Sequence, residues 1–263
     1  MGTNTDRRFI EHMVWDEVAR HIANAAAAIL PIGAAAKQHG FHLPLNTDRI
    51  QAEFLASQLA ERIDALIWPT LTYGYYPAFV AYAGSSSLSS LTFEAVVHEI
   101  AAEILGNGCR KLFVLNTGVS TLAPVERALA RLDAHRVAHL RIHEGPRYRQ
   151  AVEQLAEQSH GSHADELETS LMLALAPQLV DMTRAEPSPA LGFEAPGPLT
   201  PLDVNSPNYS RSGSHGDPTL ATSVKGEILL AAILDDLREH AAAFITEGGA
   251  GNQRTGFMQS VSR

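Results

Sequence analysis

The chain has 263 residues, of which 45% are hydrophobic and 19% charged, enough to bury a full core in one large domain. A formal net charge of -9, with no continuous stripe of lysine or arginine, excludes phosphate-backbone binding, so nucleic acid is not an expected partner. The opening MGTNTDRRFIEHMVWDEV lacks the apolar core of a signal peptide, and the longest apolar run, 22–32, is interrupted by Asn24 and Pro31. No membrane association is expected, and the single cysteine, Cys109, fits packing in a reducing, cytoplasmic compartment.

In chain order, residues 28–32 form a short continuous apolar run ending in Pro-Ile-Gly, the pattern of a strand buried on both faces. A polar loop follows, then a segment over 50–63 with Ile50, Phe54, Leu55, Leu59 and Ile63 at helical spacing. The same order recurs: a strand at 65–68, a loop rich in tyrosine and serine, and a helix over 91–105. It recurs again with a strand at 111–116, the loop TGVS and a helix through Leu132, before a fourth strand at 137–142. This alternation predicts an α/β fold, a single layered domain over 1–248 with a parallel or mixed central sheet and helices on both faces. Residues 186–211 read as a loop folded over the site, since only one helix, 219–244, follows; 249–263 reads as a flexible tail.

Chemistry concentrates in the loop after the first strand. Lys37, His39, His42 and Asp48 lie there together, and imidazole and carboxylate are ligands that zinc, manganese and iron share. On composition alone solvation, or capping with Thr47 or Asp48 starting the helix, is the favoured reading of these side chains. The loop after the second strand gathers Tyr73, Tyr75, Tyr76, Phe79 and Tyr82, which suit either a substrate pocket or a subunit contact. The remaining histidines, His143 among them, show no ligand spacing and read as surface residues. No phosphate loop or Gly-x-Ser-x-Gly elbow follows any strand, which weakens nucleotide-binding and serine-hydrolase readings.

The order of residues says more. PIGAAAKQHGFHLPLNTD (31–48) resembles the creatininase family motif, in which Pro-Val-Gly leads to Glu-x-His-Gly-Pro-His-Leu-Pro and then Thr-Asp. Three further segments match in order: the TYGYYPAF and YAGSSSLS region, HADELETSLMLALAPQLV (163–180), and HGDPTLATSVKGE (215–227). The chain is therefore identified as a divergent member of that family, which implies a hydrolase of C–N bonds, cyclic amides included, assembled as a homo-oligomer such as a hexamer and acting on a small molecule.

The resemblance also implies a changed metal site. The family's first loop supplies a Glu and a His to two different ions, bridged by the Asp; here Lys37 stands at the Glu position, while His39 and Asp48 match. The family's third strand ends Asn-Gly-His, where this chain has Asn116, Thr117 and Gly118, and a further family glutamate is Ser120. One ion has thus lost its carboxylate and its imidazole together. The expectation is one divalent metal, zinc first with manganese or iron as alternatives, on His39, Asp48 and Glu168. Lys37 would stabilise the oxyanion, His163 would carry a proton or cap a helix, and Glu166 is a further catalytic candidate. Two other readings stay open: a metal-free enzyme using Lys37 as base or nucleophile, and a catalytically silent relative that binds a ligand in the inherited pocket.

Overall fold

A computed structural model describes residues 8–188 and 198–250. Four strands, β1 (Ala27–Ile32), β2 (Ala65–Ile67), β3 (Leu112–Asn116) and β4 (Val137–Arg141), form one sheet in the order β2-β1-β3-β4. All three pairings are parallel, with Ala28 opposite both Leu66 and Leu112. The helices are α1 (Trp15–Asn24), α2 (Thr47–Ile63), α3 (Ser90–Gly106), α4 (Leu122–Leu129), α5 (Pro146–Leu155), α6 (Glu166–Leu175) and α7 (Ser223–Ala250). The expected α/β layering is present. Among the described residues no helix is long and apolar enough to cross a membrane.

Successive strand side chains point to opposite faces, and both faces are covered, so β1 is buried at every position. Ala27 and Ile29 pack with α2, α5, α6 and α7, as do Phe113, Leu115 and Leu140. Ala28, Leu30 and Ile32 pack with α3 and α4 on the other side, joined by Leu112 and Val114. The chain leaves β1 through α2 on one face and returns to β3 through α3 on the other. That reversal opens a crevice beyond the carboxyl ends of β1 and β3, where ligands bind in open α/β sheets.

Helix α2 begins earlier than hydrophobic periodicity indicates, because Thr47 and Asp48 already lie in its first turn and are buried. At Gly33 the strand meets this helix so closely that a Cβ would fall 2.4 Å from the Asp48 carbonyl oxygen, which restricts the position to glycine. Helix α7 runs two residues beyond the expected domain end, and the expected tail beyond residue 250 lies outside the described residues. Of the loop expected over the site, residues 189–197 are likewise outside. The described stretch 198–216, which runs past the expected loop end at 211, ties onto the site loops: Tyr82 Oη donates to the Ser210 carbonyl at 2.6 Å, and Gln38 Nε2 to the Gly213 carbonyl at 2.8 Å.

Candidate metal centre and active site

The loop between β1 and α2 brings Lys37, His39 and Asp48 to the crevice, and the start of α6 brings His163, Asp165 and Glu168 to face them. Asp48 sits in the first turn of α2, where the helix end favours an anion, and is 1% exposed. Its Oδ2 lies 2.7 Å from Lys37 Nζ and its Oδ1 3.1 Å from His39 Nε2. Burial alone would raise the Asp48 carboxyl; the adjacent Lys37 ammonium, then His39, overcome this and hold it well below the usual carboxylate range. Lys37 Nζ also stands 5.6 Å from the Tyr76 ring centre and 5.3 Å from that of Phe79, an apolar box around the ammonium.

The two histidines are oriented in the same way. His39 Nδ1 is 2.8 Å from the Lys37 carbonyl oxygen, and His163 Nε2 is 2.8 Å from the Gln38 carbonyl oxygen. A carbonyl only accepts, so each of these nitrogens carries a hydrogen. The opposite nitrogens turn toward Glu168: His39 Nε2 is 3.6 Å from Glu168 Oε1, and His163 Nδ1 is 3.6 Å from Oε2. Burial, with Lys37 and His39 close by, drives His163 well below the ordinary histidine range, so its Nδ1 is a bare lone pair aimed at a carboxylate. A bare nitrogen facing a carboxylate oxygen repels it unless a cation lies between them, and His39 Nε2 reaches both Glu168 Oε1 and Asp48 Oδ1. Ligand atoms of His39, His163 and Glu168 lie within 4.8 Å of one another, and these three fit one divalent ion.

The expected ligand set is His39, Asp48 and Glu168; Asp48 lies against Lys37 and His39, while His163, expected as a proton carrier or a cap, stands with His39 and Glu168 in the group that could hold an ion. The cap of α6 is Asp165, whose Oδ1 accepts from Leu167 N and Glu168 N at 3.0 Å each. Glu166 does not join the site. It is fully buried on the far side of the helix, where its carboxylate accepts from Glu157 N and Gln158 N and pairs with Lys225 at 2.5 Å. His42 is structural, with Nε2 2.8 Å from Thr169 Oγ1, and burial pushes it down to about 4.

A cavity of about 410 Å³ opens beside these groups, walled by Phe79, Val119, Leu167 and Leu171 and carrying Lys37, Asp48, His163 and Glu168 on its polar side. Of the expected aromatic loop, Phe79 reaches the cavity, Tyr76 is buried beneath Lys37 and Tyr73 is exposed. Lys37 Nζ stands 2.7 Å from Asp48 Oδ2, and a Cβ on Gly118 would fall 2.6 Å from Thr121 Oγ1.

Two cavity residues escape a reading of the sequence. His143, from the turn after β4, has Nε2 3.2 Å from the Thr117 carbonyl oxygen and Nδ1 3.3 Å from Tyr148 Oη. The carbonyl fixes the hydrogen on Nε2, so the Tyr148 hydroxyl donates to Nδ1. Burial lowers the His143 pKa and raises that of Tyr148, keeping both neutral near pH 7. Thr117 links this pair to the centre, its hydroxyl lying 3.1 Å from the Ile32 carbonyl oxygen and 3.3 Å from that of Asp48.

Comparison with known proteins identifies the family. The family model Creatininase, described as creatinine amidohydrolase, matches residues 11–241. The chain is 30% identical to a creatinine amidohydrolase of Pseudomonas putida over 258 residues, 88% of this chain and 96% of that protein. It is 27% identical to a mycofactocin precursor peptide peptidase of Mycobacterium tuberculosis (strain ATCC 25618 / H37Rv), over 86% of this chain and 88% of that one. The solved structure "Creatininase Mn" superposes with a TM-score of 0.76 at 26% identity, covering 90% of this chain and 98% of that chain. Matched by the family model along most of its length, the chain belongs to the creatininase family.

Proposed function

We propose that this chain hydrolyses the C–N bond of a small amide, with water activated at one divalent cation held by His39, His163 and Glu168. The observation that carries the reading is the pair of imidazoles, each pinned through one nitrogen to a backbone carbonyl while the other faces the Glu168 carboxylate. When bound, such an ion polarises a carbonyl and lowers the pKa of water to about 7. The protein supplies the rest. Lys37 offers a fixed positive charge at the cavity edge, suited to a developing oxyanion and worth about 3 kcal/mol for a single donor. Phe79, Val119 and Leu171 exclude bulk water, and Tyr148, held through His143, presents a neutral hydrogen-bonding group on another wall.

The relatives named for creatinine and for a precursor peptide both act on amide linkages, and a cavity of about 410 Å³ suits a compact amide. Zinc is the proposed ion, with manganese or iron as alternatives, since histidine and carboxylate accept all three. Lys37 as a nucleophile is the weaker reading, because an amine nucleophile needs a free lone pair and Nζ is engaged with Asp48 at 2.7 Å. Elemental analysis of protein purified without chelator, followed by an amide panel with zinc, manganese or iron restored, tests the proposal. One equivalent of metal, lost in Glu168→Gln together with turnover, is the expected result. Metal-free protein that none of the three ions activates refutes it.

A further inference from the structure

We propose that the buried Lys225–Glu166 pair positions Glu168 for metal binding, making Glu166 a positioning residue of a site it does not face. The inference rests on the metal reading above. Glu166 and Glu168 are two residues apart on α6, so their side chains leave the helix in nearly opposite directions, and fixing the rotation of one fixes the other. Glu166 is fixed thoroughly. Its Oε2 accepts from Glu157 N at 2.9 Å and Gln158 N at 2.8 Å, and its Oε1 meets Lys225 Nζ at 2.5 Å. Lys225 also donates to Glu157 Oε1 at 2.5 Å and to the Leu220 carbonyl at 3.0 Å.

From there a continuous hydrogen-bonded path reaches Glu168. Gln158 Oε1 accepts from Glu166 N at 3.2 Å and from Asp217 N at 3.1 Å, while its Nε2 donates to Asp165 Oδ2 at 2.8 Å. The other oxygen of Asp165 holds Glu168 N at 3.0 Å. At the end of the path Ala164 adopts a left-handed φ of 46°, which lets its N–H donate to Glu168 Oε2 at 2.6 Å. The start of α7 is tied to α6 directly: Ser170 Oγ donates to the Glu166 carbonyl at 2.7 Å and accepts from Thr222 N at 3.1 Å. At Gly226 a Cβ would fall 1.9 Å from the Ser170 carbonyl oxygen. A buried ion pair is a weak source of stability because desolvation offsets its attraction. Its contribution here is one rotation and one register for α6.

The test uses the full chain and zinc alone. Zinc affinity is read by competition with a chromophoric chelator, beside the melting temperature of the metal-free protein. Glu166→Gln and Lys225→Met are each expected to weaken zinc binding about tenfold, the lower end of what losing an outer-shell partner costs. Leu237→Ala, in the core further along α7, is the control: it lowers the melting temperature and leaves zinc affinity unchanged. Wild-type affinity in both pair variants, or an equal loss in Leu237→Ala, overturns the inference. If Lys225→Met does not fold, Glu166→Gln, which keeps the shape of the side chain, decides; loss of the fold in both also overturns it. A wild-type chain that binds none of zinc, manganese or iron refutes the metal reading itself, and that is seen before any variant is made.

Discussion

Replacing Lys37 with methionine removes the ammonium beside Asp48 and leaves a carboxylate that is 1% exposed. At 2.7 Å the pair attracts by roughly 6 kcal/mol with an effective dielectric constant of about 20, and desolvation of both groups offsets part of that. Losing one partner of such a pair costs about 3–5 kcal/mol, or roughly 10 °C in melting temperature for a chain of this size. The assay is urea denaturation of wild type, Lys37→Met, Asp48→Asn and the double variant at pH 7. A coupling of about 3 kcal/mol is expected, with the double variant less destabilised than the two single effects added. The sign with pH follows from the groups. In wild type the depressed Asp48 carboxyl contributes stability that is present above its unfolded pKa and lost only as pH falls through the folded value. In Lys37→Met burial raises that carboxyl instead, so the deficit is largest at pH 7 and narrows toward pH 4. Additive single effects, or a deficit that widens on acidification, would refute the assignment of Lys37 as the charge partner of Asp48.

Burial, with Arg141 next, pushes His139 down to about 4, so the unfolded chain takes its proton first as pH falls; stability is lost between about 6.5 and 4. His139→Gln is expected to flatten that limb by up to about 3 kcal/mol in urea titrations, and an unchanged limb counts against it. Tyr148→Phe removes the hydroxyl that donates to His143 and is expected to cost under about 1.5 kcal/mol of stability. Its kcat/KM on an amide turned over by wild type should fall about tenfold, read by steady-state kinetics, and unchanged kinetics would remove the pair from the substrate's surroundings. Lys37→Glu with Gly118→His returns two ligand types to the first ion, and zinc stoichiometry by elemental analysis should rise from one equivalent to two. A stoichiometry that stays at one shows that the loop packed around Thr121 does not readmit the imidazole.

Much of the fold was legible because β1 and β3 are continuous apolar runs and the helices between them carry apolar residues at helical spacing. The loop from Lys37 to Asp48 was legible because its residue order is specific to the family. Glu166 shows what local reading loses: close to Glu168 in sequence it reads as a further carboxylate of the same site, yet a separation of two residues on a helix places them on opposite faces. That periodicity was a usable signal. His143 carried none, since its imidazole reaches the cavity only through the turn between β4 and α5 and its partner Tyr148 lies on a helix that hydrophobic patterning had not marked. That His163 stands with His39 and Glu168 is likewise tertiary, set by where α6 docks against the β1 loop.

The ammonium at Asp48 is covalently part of the chain. A metal ion in that position would have to be captured from the medium, could exchange for another element and could be stripped by a chelator; a side chain can do none of these. The positive charge beside Asp48 is thus set at translation and is the same in every copy, whatever the supply of trace elements. Loading the site proposed here then follows a simple one-site isotherm, and metal starvation leaves the lysine's half of the charge in place.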